Sequence, residues 1–124
     1  MSDQARADAL EERLIAFGVQ AIKIVGSLPG SIAGRHVAGQ MLRSATAAAP
    51  NYGEARGAES HADFTHKMSI VLKELNETRI WLRMAERSGL LRGEASTAIQ
   101  EENQQLCRIV TAALKTIRHR RQDA

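Results

Sequence analysis

The chain has 124 residues, of which 44% are apolar and 25% charged, and 17 lysines and arginines outnumber 14 acidic residues for a net charge of +3. This size and composition predict one folded domain over residues 1–124 and exclude a disordered chain or a linker array. The basic excess would assist contact with nucleic acid or with acidic partners.

The cysteine content and the hydropathy pattern indicate the cellular compartment of the protein. Cys107 is the only cysteine, so an intrachain disulfide is excluded and a reducing compartment is favoured. The first residues carry charges where a signal peptide needs an apolar stretch, and no apolar run approaches the roughly 18 residues of a membrane span. We therefore expect a cytoplasmic protein without a membrane segment.

The first predicted helix covers approximately residues 4–28, and Pro29-Gly30 ends it. Apolar residues recur in alternating steps of four and three, as on one face of a helix. They are Leu10, Leu14, Phe17, Ala21, Ile24 and Leu28, with Ile15, Val19 and Ile22 beside them. Because this stripe is wider than one helix–helix contact requires, one side could face a second subunit.

The second predicted helix covers approximately residues 32–57, with Ser31 as its N-cap. Its middle, residues 44–49, consists of small residues that permit a neighbouring helix to approach closely. Pro50 lacks a backbone donor and clashes with the carbonyl of Thr46, which predicts a kink.

The third and fourth predicted helices cover approximately residues 61–88 and 93–121, and both carry the same apolar period. One polar residue, Asn103, interrupts the apolar positions of the last helix. Links of a few residues require neighbouring helices to run in opposite directions. The predicted fold class is therefore all-α, an antiparallel up-down-up-down four-helix bundle.

Motifs of enzymes and metalloproteins are missing from the sequence. No glutamate has a histidine three positions later, as a di-iron bundle requires, and neither HExxH nor a phosphate-binding glycine loop occurs. His61, Asp63 and His66 are interpreted as solvated residues at a helix start rather than as metal ligands. We expect no catalytic residues, no bound metal and no cofactor.

Polar residues on the two central helices need partners. Glu74 and Glu77 flank Leu75 in the apolar stripe, and a carboxylate buried there requires a cationic or amide partner. The favoured interpretation is a polar network between helices or subunits, and the alternative is a ligand site.

Two groups of basic residues are candidates for anion binding. Arg79, Arg83 and Arg87 place like charges four residues apart, so either acidic residues such as Glu101 and Glu102 pair with this row or the row meets an anion. The second group lies near the C-terminus, where positive charges interact favourably with the negative end of the last helix dipole. It is also the strongest candidate for a nucleic-acid-binding surface in the chain. Its members are Lys115, Arg118, Arg120 and Arg121, with His119 among them.

The middle of the chain resembles a known family over roughly residues 37–91. The resemblance is carried by several separated motifs that occur in the family's order. They are Gln40-Met-Leu-Arg-Ser-Ala-Thr, Asn51-Tyr-Gly-Glu-Ala-Arg, Ser60 with Asp63-Phe64 and Lys67, Leu72-Lys-Glu-Leu-Asn-Glu-Thr, Trp81-Leu and Ser88-Gly-Leu-Leu. They resemble the bacterial four-helix-bundle family whose members include proteins encoded in intervening sequences of 23S rRNA genes.

The resemblance implies a homopentamer built around a central channel, and a relationship to the basic pentameric accessory protein of diversity-generating retroelements, which engages nucleic acid. Arg43, Asn51, Glu54, Lys73, Glu74 and Glu77 match the family motif, which attaches no catalytic role to them. The favoured function is a non-enzymatic oligomer that binds RNA or DNA through its basic residues. The alternative is a structural or adaptor oligomer whose partner is a protein.

Overall fold

The computed structural model describes residues 2–123, with side chains described for residues 2–120. The described part of the chain contains four α-helices and no β-strand, so the predicted all-α class is confirmed. The helices are α1 (Asp3–Val25), α2 (Ile32–Arg56), α3 (His61–Arg87) and α4 (Gly93–Asp123). None of them is long and apolar enough to cross a bilayer.

Serine side chains cap the first three helices. The hydroxyls of Ser2, Ser31 and Ser60 each accept a hydrogen bond of 3.0 Å from the backbone N–H three residues later. These bonds satisfy amide groups that have no partner within the helix. The cap positions therefore follow from the local sequence.

Helix α1 ends at Val25, three residues before the predicted boundary. Residues 26–28 form a tight turn in which the Ser27 hydroxyl donates to the carbonyl of Ile24 at 2.6 Å. Gly26 has low helix propensity and the Ser27 hydroxyl takes over a terminal carbonyl, so the helix stops before Pro29 is reached.

Two glycines occupy places where a side chain would be costly. A Cβ at Gly34, in the first turn of α2, would collide with the backbone carbonyl of Pro29. Gly89 follows α3 with φ of +80°, a left-handed conformation that favours glycine. The chain then turns back, and the Leu91 N–H donates to the Ala85 carbonyl at 3.1 Å.

The four helices share one apolar core. Each helix packs on its neighbour in the chain, α1 also packs on α4, and α2 and α3 make the most extensive contact. Ser44, Ala45 and Ala48 of α2 are buried, and their small side chains permit close approach of neighbouring helices. The largest side chains that are fully enclosed in the core are Phe17, Leu14, Met41, Met68, Leu75, Leu82, Ile99 and Leu106.

Pro50 lies inside α2, which continues without interruption to Arg56. The Asn51 side chain donates from Nδ2 to the Ala47 carbonyl at 2.8 Å, one turn earlier. This bond gives the turn around Pro50 a side-chain link in the region where the proline supplies no N–H donor.

Candidate functional site

A polar network joins α2 to α3. The Arg43 guanidinium donates to the Glu74 carboxylate at 3.0 Å and also to Glu77. The Glu74 side chain is 7% exposed and that of Arg43 is 50% exposed, so the pair links the core to the surface. The hydrogen bond from Arg43 lowers the pKa of Glu77, and the Glu77 carboxylate raises that of Arg43.

The network extends along α3. The Trp81 indole donates to Glu77 at 3.3 Å, and its ring meets His36 of α2 edge-on, with ring centroids 5.7 Å apart. Beneath it, the buried Thr78 hydroxyl donates to the Ser44 hydroxyl at 2.8 Å. Polar groups from both helices are therefore satisfied where α2 and α3 are closest.

Three other motif residues lie outside this network. Asn51 bonds within its own helix, and Glu54 accepts a hydrogen bond from Lys67 at 3.0 Å. Lys73 is exposed, and its charge helps to lower the pKa of Glu77. The structure thus divides the predicted network into the Arg43–Glu74–Glu77 group and separate contacts one or more turns away.

The arginine row is not paired with Glu102, contrary to one of the two predicted alternatives. Glu102 instead accepts two hydrogen bonds from Arg13 of α1, one of them 3.2 Å from Nε. Glu101 is exposed and lies beside Arg92 at a different groove. The reason is the rotation of α4, which turns the Glu102 side chain towards α1 rather than towards α3.

Charge pairing differs between the two halves of the chain. On α1 and α2, Arg13, Arg43 and Arg56 all form ion pairs, and Arg56 reaches Asp8 at 2.8 Å. Within residues 2–120, no ion pair includes a basic residue of the α3 row or of the C-terminal group. The basic residues of the α3 row and of the C-terminal group therefore have no ion-pair partner within the described part of the chain.

The C-terminal basic group lies on the exposed side of α4. Residues 103–122 contain five lysines and arginines and neither aspartate nor glutamate. Lys115, Arg118 and Arg120 are exposed, and a groove of about 320 Å³ is lined by Lys115, Thr116, His119 and Arg120. The Arg121 side chain lies outside the described residues.

Groups able to hold a metal or act as a nucleophile are sparse in the described structure. Among the residues searched, no three histidine, cysteine or acidic side chains gather as metal ligands would. Cys107 is partly buried, and burial raises the pKa of its thiol although the nearby charge of Arg79 opposes the rise. A thiol with a raised pKa is a weak nucleophile near neutral pH.

The second apolar side of α1 is exposed in the single chain. Ile15, Val19 and Ile22 are 44%, 43% and 54% exposed. They follow one another at steps of four and three residues, so they occupy one face of the helix.

These features define an all-α protein of four helices with a central polar network and an uncompensated basic surface. The chain belongs to the family described as 23S rRNA-intervening sequence protein, whose sequence profile matches residues 11–112. The predicted family is thereby confirmed, over a longer part of the chain than the motifs covered.

A solved structure supports the same assignment. The chain is similar to a crystallised protein of unknown function from the S23 ribosomal protein family of Bacteroides thetaiotaomicron, with 26% identity and a TM-score of 0.79. The alignment covers 88% of this chain and 97% of that protein. No functionally curated protein matches the chain.

Proposed function

We propose that this protein is a non-enzymatic, cytoplasmic homo-oligomer, most simply a pentamer, that binds RNA or DNA through the basic residues of α3 and α4. Each subunit is an antiparallel up-down-up-down four-helix bundle. The order of contacts supports this topology, because Ser44 meets Thr78 while Glu54, further along α2, meets Lys67, earlier in α3.

The uncompensated positive surface carries the proposal. Arg118 and Arg120 stand exposed on a stretch of α4 that contains no acidic residue. The phosphate backbone of a nucleic acid is the partner that such a surface attracts most strongly. In an oligomer each subunit contributes its own copy, so weak single contacts add through multivalency.

The described aromatic side chains argue for backbone contacts rather than base stacking. Phe17 and Tyr52 are buried, Phe64 packs against the core, and Trp81 contacts Glu77 and His36. Binding that depends on phosphate contacts alone is insensitive to base sequence and falls steeply with salt.

A non-enzymatic role is supported by the state of the reactive side chains. The hydrogen bond from Arg43 lowers the pKa of Glu77, which favours the charged form of this carboxylate and leaves it a poor proton donor. The Cys107 thiol has a raised pKa, which disfavours the thiolate that nucleophilic catalysis needs.

The alternative function is that of a protein-binding adaptor, and it is favoured by a different surface. Ile80 and Met84 of α3 are 42% and 44% exposed. Exposed apolar side chains suit a protein partner better than a polyanion.

A salt-dependent binding measurement separates the two functions. Labelled single-stranded RNA and duplex DNA are titrated with the protein by fluorescence anisotropy at about 50 mM and 200 mM salt. The test variant is Arg118→Ser/Arg120→Ser, and the charge-matched control is Lys23→Ser/Arg35→Ser, which removes two exposed cations from other helices.

We expect binding at low salt that weakens at high salt, and a smaller salt dependence for the α4 variant than for the control. Equal weakening by both variants would mean that only net charge matters. Absence of binding at low salt would reject the nucleic-acid role in favour of the adaptor.

A further inference from the structure

A polar groove of about 250 Å³ lies between α3 and α4. It is lined by Arg79, Leu82, Arg83, Gln100, Asn103 and Gln104. We propose that this groove binds a small oxyanion that also carries a hydrogen-bond donor, with phosphate or a phosphorylated sugar as the chemical class. The inference goes beyond nucleic-acid binding and does not depend on it.

The positive side of the groove comes from Arg79 and Arg83. These residues lie four apart on α3, so their side chains share one face of the helix. Among residues 2–120 neither guanidinium forms an ion pair or a side-chain hydrogen bond. Two guanidinium groups at one site offer the parallel donors that oxyanions of phosphorus accept.

The groove lining contains no carboxylate that would neutralise these charges. Glu86, an acidic residue on the same helix, accepts hydrogen bonds of 2.7 Å from both Ser96 and Gln100. Glu102 is held by Arg13 on the other side of α4. The arginine pair therefore has no carboxylate partner within the groove lining, which favours an anionic ligand there.

Asn103 of α4 also lines the groove and carries a buried acceptor that has no hydrogen-bond partner. Its residue is 1% exposed, and its Nδ2 donates to the Leu75 carbonyl at 3.0 Å. Because that carbonyl can only accept, the amide nitrogen is assigned to it and Oδ1 is the remaining acceptor. Oδ1 is buried without a protein donor, on a residue that lines the groove.

A buried acceptor without a donor is unfavourable, so a ligand that donates a hydrogen bond to it is preferred over one that cannot. Sulfate cannot make this bond because it carries no proton near neutral pH, whereas hydrogenphosphate retains one. A phosphorylated sugar supplies the donor from its hydroxyl groups. Asn103 therefore selects among anions of the same size and charge.

Calorimetric titration at constant ionic strength tests the site with inorganic phosphate, sulfate and ribose 5-phosphate as probes. We expect phosphate to bind about 5- to 10-fold more tightly than sulfate, the ratio of one added hydrogen bond. Tighter binding of ribose 5-phosphate than of phosphate would identify a sugar phosphate as the ligand, and the reverse order would identify free phosphate.

Variants of the arginine row test whether phosphate binds in this groove. Arg79→Gln/Arg83→Gln should weaken phosphate binding at least about tenfold, because two charge-assisted bonds are lost. Arg87→Gln is the matched control, since Arg87 belongs to the same row but does not line the groove. It should change the affinity less than about twofold.

Three outcomes would overturn the inference: no phosphate binding, equal affinity for sulfate and phosphate, or equal effects of the double variant and Arg87→Gln. Each is distinguishable from failure of the proposed function, which is measured with the α4 variant. Loss of RNA binding in Arg79→Gln/Arg83→Gln without any phosphate binding would show that these arginines contribute only to the proposed nucleic-acid surface.

Discussion

The Arg13 guanidinium of α1 donates to the Glu102 carboxylate of α4, and the two residues lie 89 positions apart in the chain. Arg13 also donates to Gln105 at 3.0 Å, so one side chain spans a full turn of α4. This contact joins the first helix to the last, where the packing is the least extensive among the four pairs of helices in contact. It also holds the Glu102 carboxylate on the α1 side of α4, so Glu102 does not neutralise the arginine row of α3.

Replacement of Glu74 should destabilise the fold. Glu74→Ala leaves the Arg43 guanidinium with one carboxylate partner and removes a buried, charge-assisted hydrogen bond. We expect the free energy of unfolding to fall by about 1–3 kcal/mol in urea denaturation. Lys73→Ala, at the exposed neighbouring position, should change it by less than about 0.5 kcal/mol. An unchanged denaturation midpoint for Glu74→Ala would mean that the carboxylate is solvated.

The ion pair between Arg43 and Glu77 should make stability depend on pH in the acid range. Because the hydrogen bond from Arg43 lowers the pKa of Glu77 in the folded state from its ordinary 4.5, the stabilisation is present above that pH. It is lost as the pH falls through the folded-state pKa. The stability difference between wild type and Glu77→Gln should therefore shrink as the pH is lowered below 4.5.

Melting temperatures measured from neutral pH downwards check this prediction. Glu12→Gln, which alters an exposed carboxylate of α1, serves as the control and should run parallel to wild type throughout. A constant difference between wild type and Glu77→Gln at all pH values would show that the pair contributes nothing.

Two glycines of α2 should respond to alanine with opposite signs. A Cβ at Gly34 would collide with the Pro29 carbonyl, whereas a Cβ at Gly39 meets no atom within 4 Å. Gly39→Ala should stabilise the protein by about 0.5–1 kcal/mol through helix propensity. Gly34→Ala should destabilise it, because either the loop or the first turn of α2 must move. Urea denaturation of both variants checks the signs, and a stabilising Gly34→Ala would contradict the close approach.

The sequence was sufficient for the features that depend on local pattern. The apolar period predicted the burial of Leu14, Phe17 and Ala21, and the position of Ser31 before α2 predicted its cap. Burial and capping are decided within one or two helical turns, so a single sequence carries them.

The sequence alone could not predict which charged residues of distant helices form ion pairs. Whether Glu102 meets Arg13 or the α3 row depends on how α4 is rotated in the assembled fold, and both partners are chemically suitable. The groove between α3 and α4 could not be predicted for the same reason, because it also depends on how the helices pack. Asn103 was visible as a polar residue among apolar ones, but only the packed helices bring it beside Arg79 and Arg83.

The oligomer prediction rests on the exposed apolar side of α1. If this side packs against a second subunit, Val19→Glu would place a carboxylate in an apolar contact, which costs several kcal/mol unless it is paired. We expect wild type to sediment as a pentamer of about 68 kDa, five copies of the 13.6 kDa chain, and Val19→Glu to shift to smaller species. Ile32→Glu is the control, because Ile32 is 83% exposed and belongs to α2 rather than to α1. Sedimentation equilibrium and circular dichroism together separate dissociation from unfolding. A wild-type monomer at micromolar concentration, or a Val19→Glu variant with the mass of wild type, would show that α1 does not form the interface.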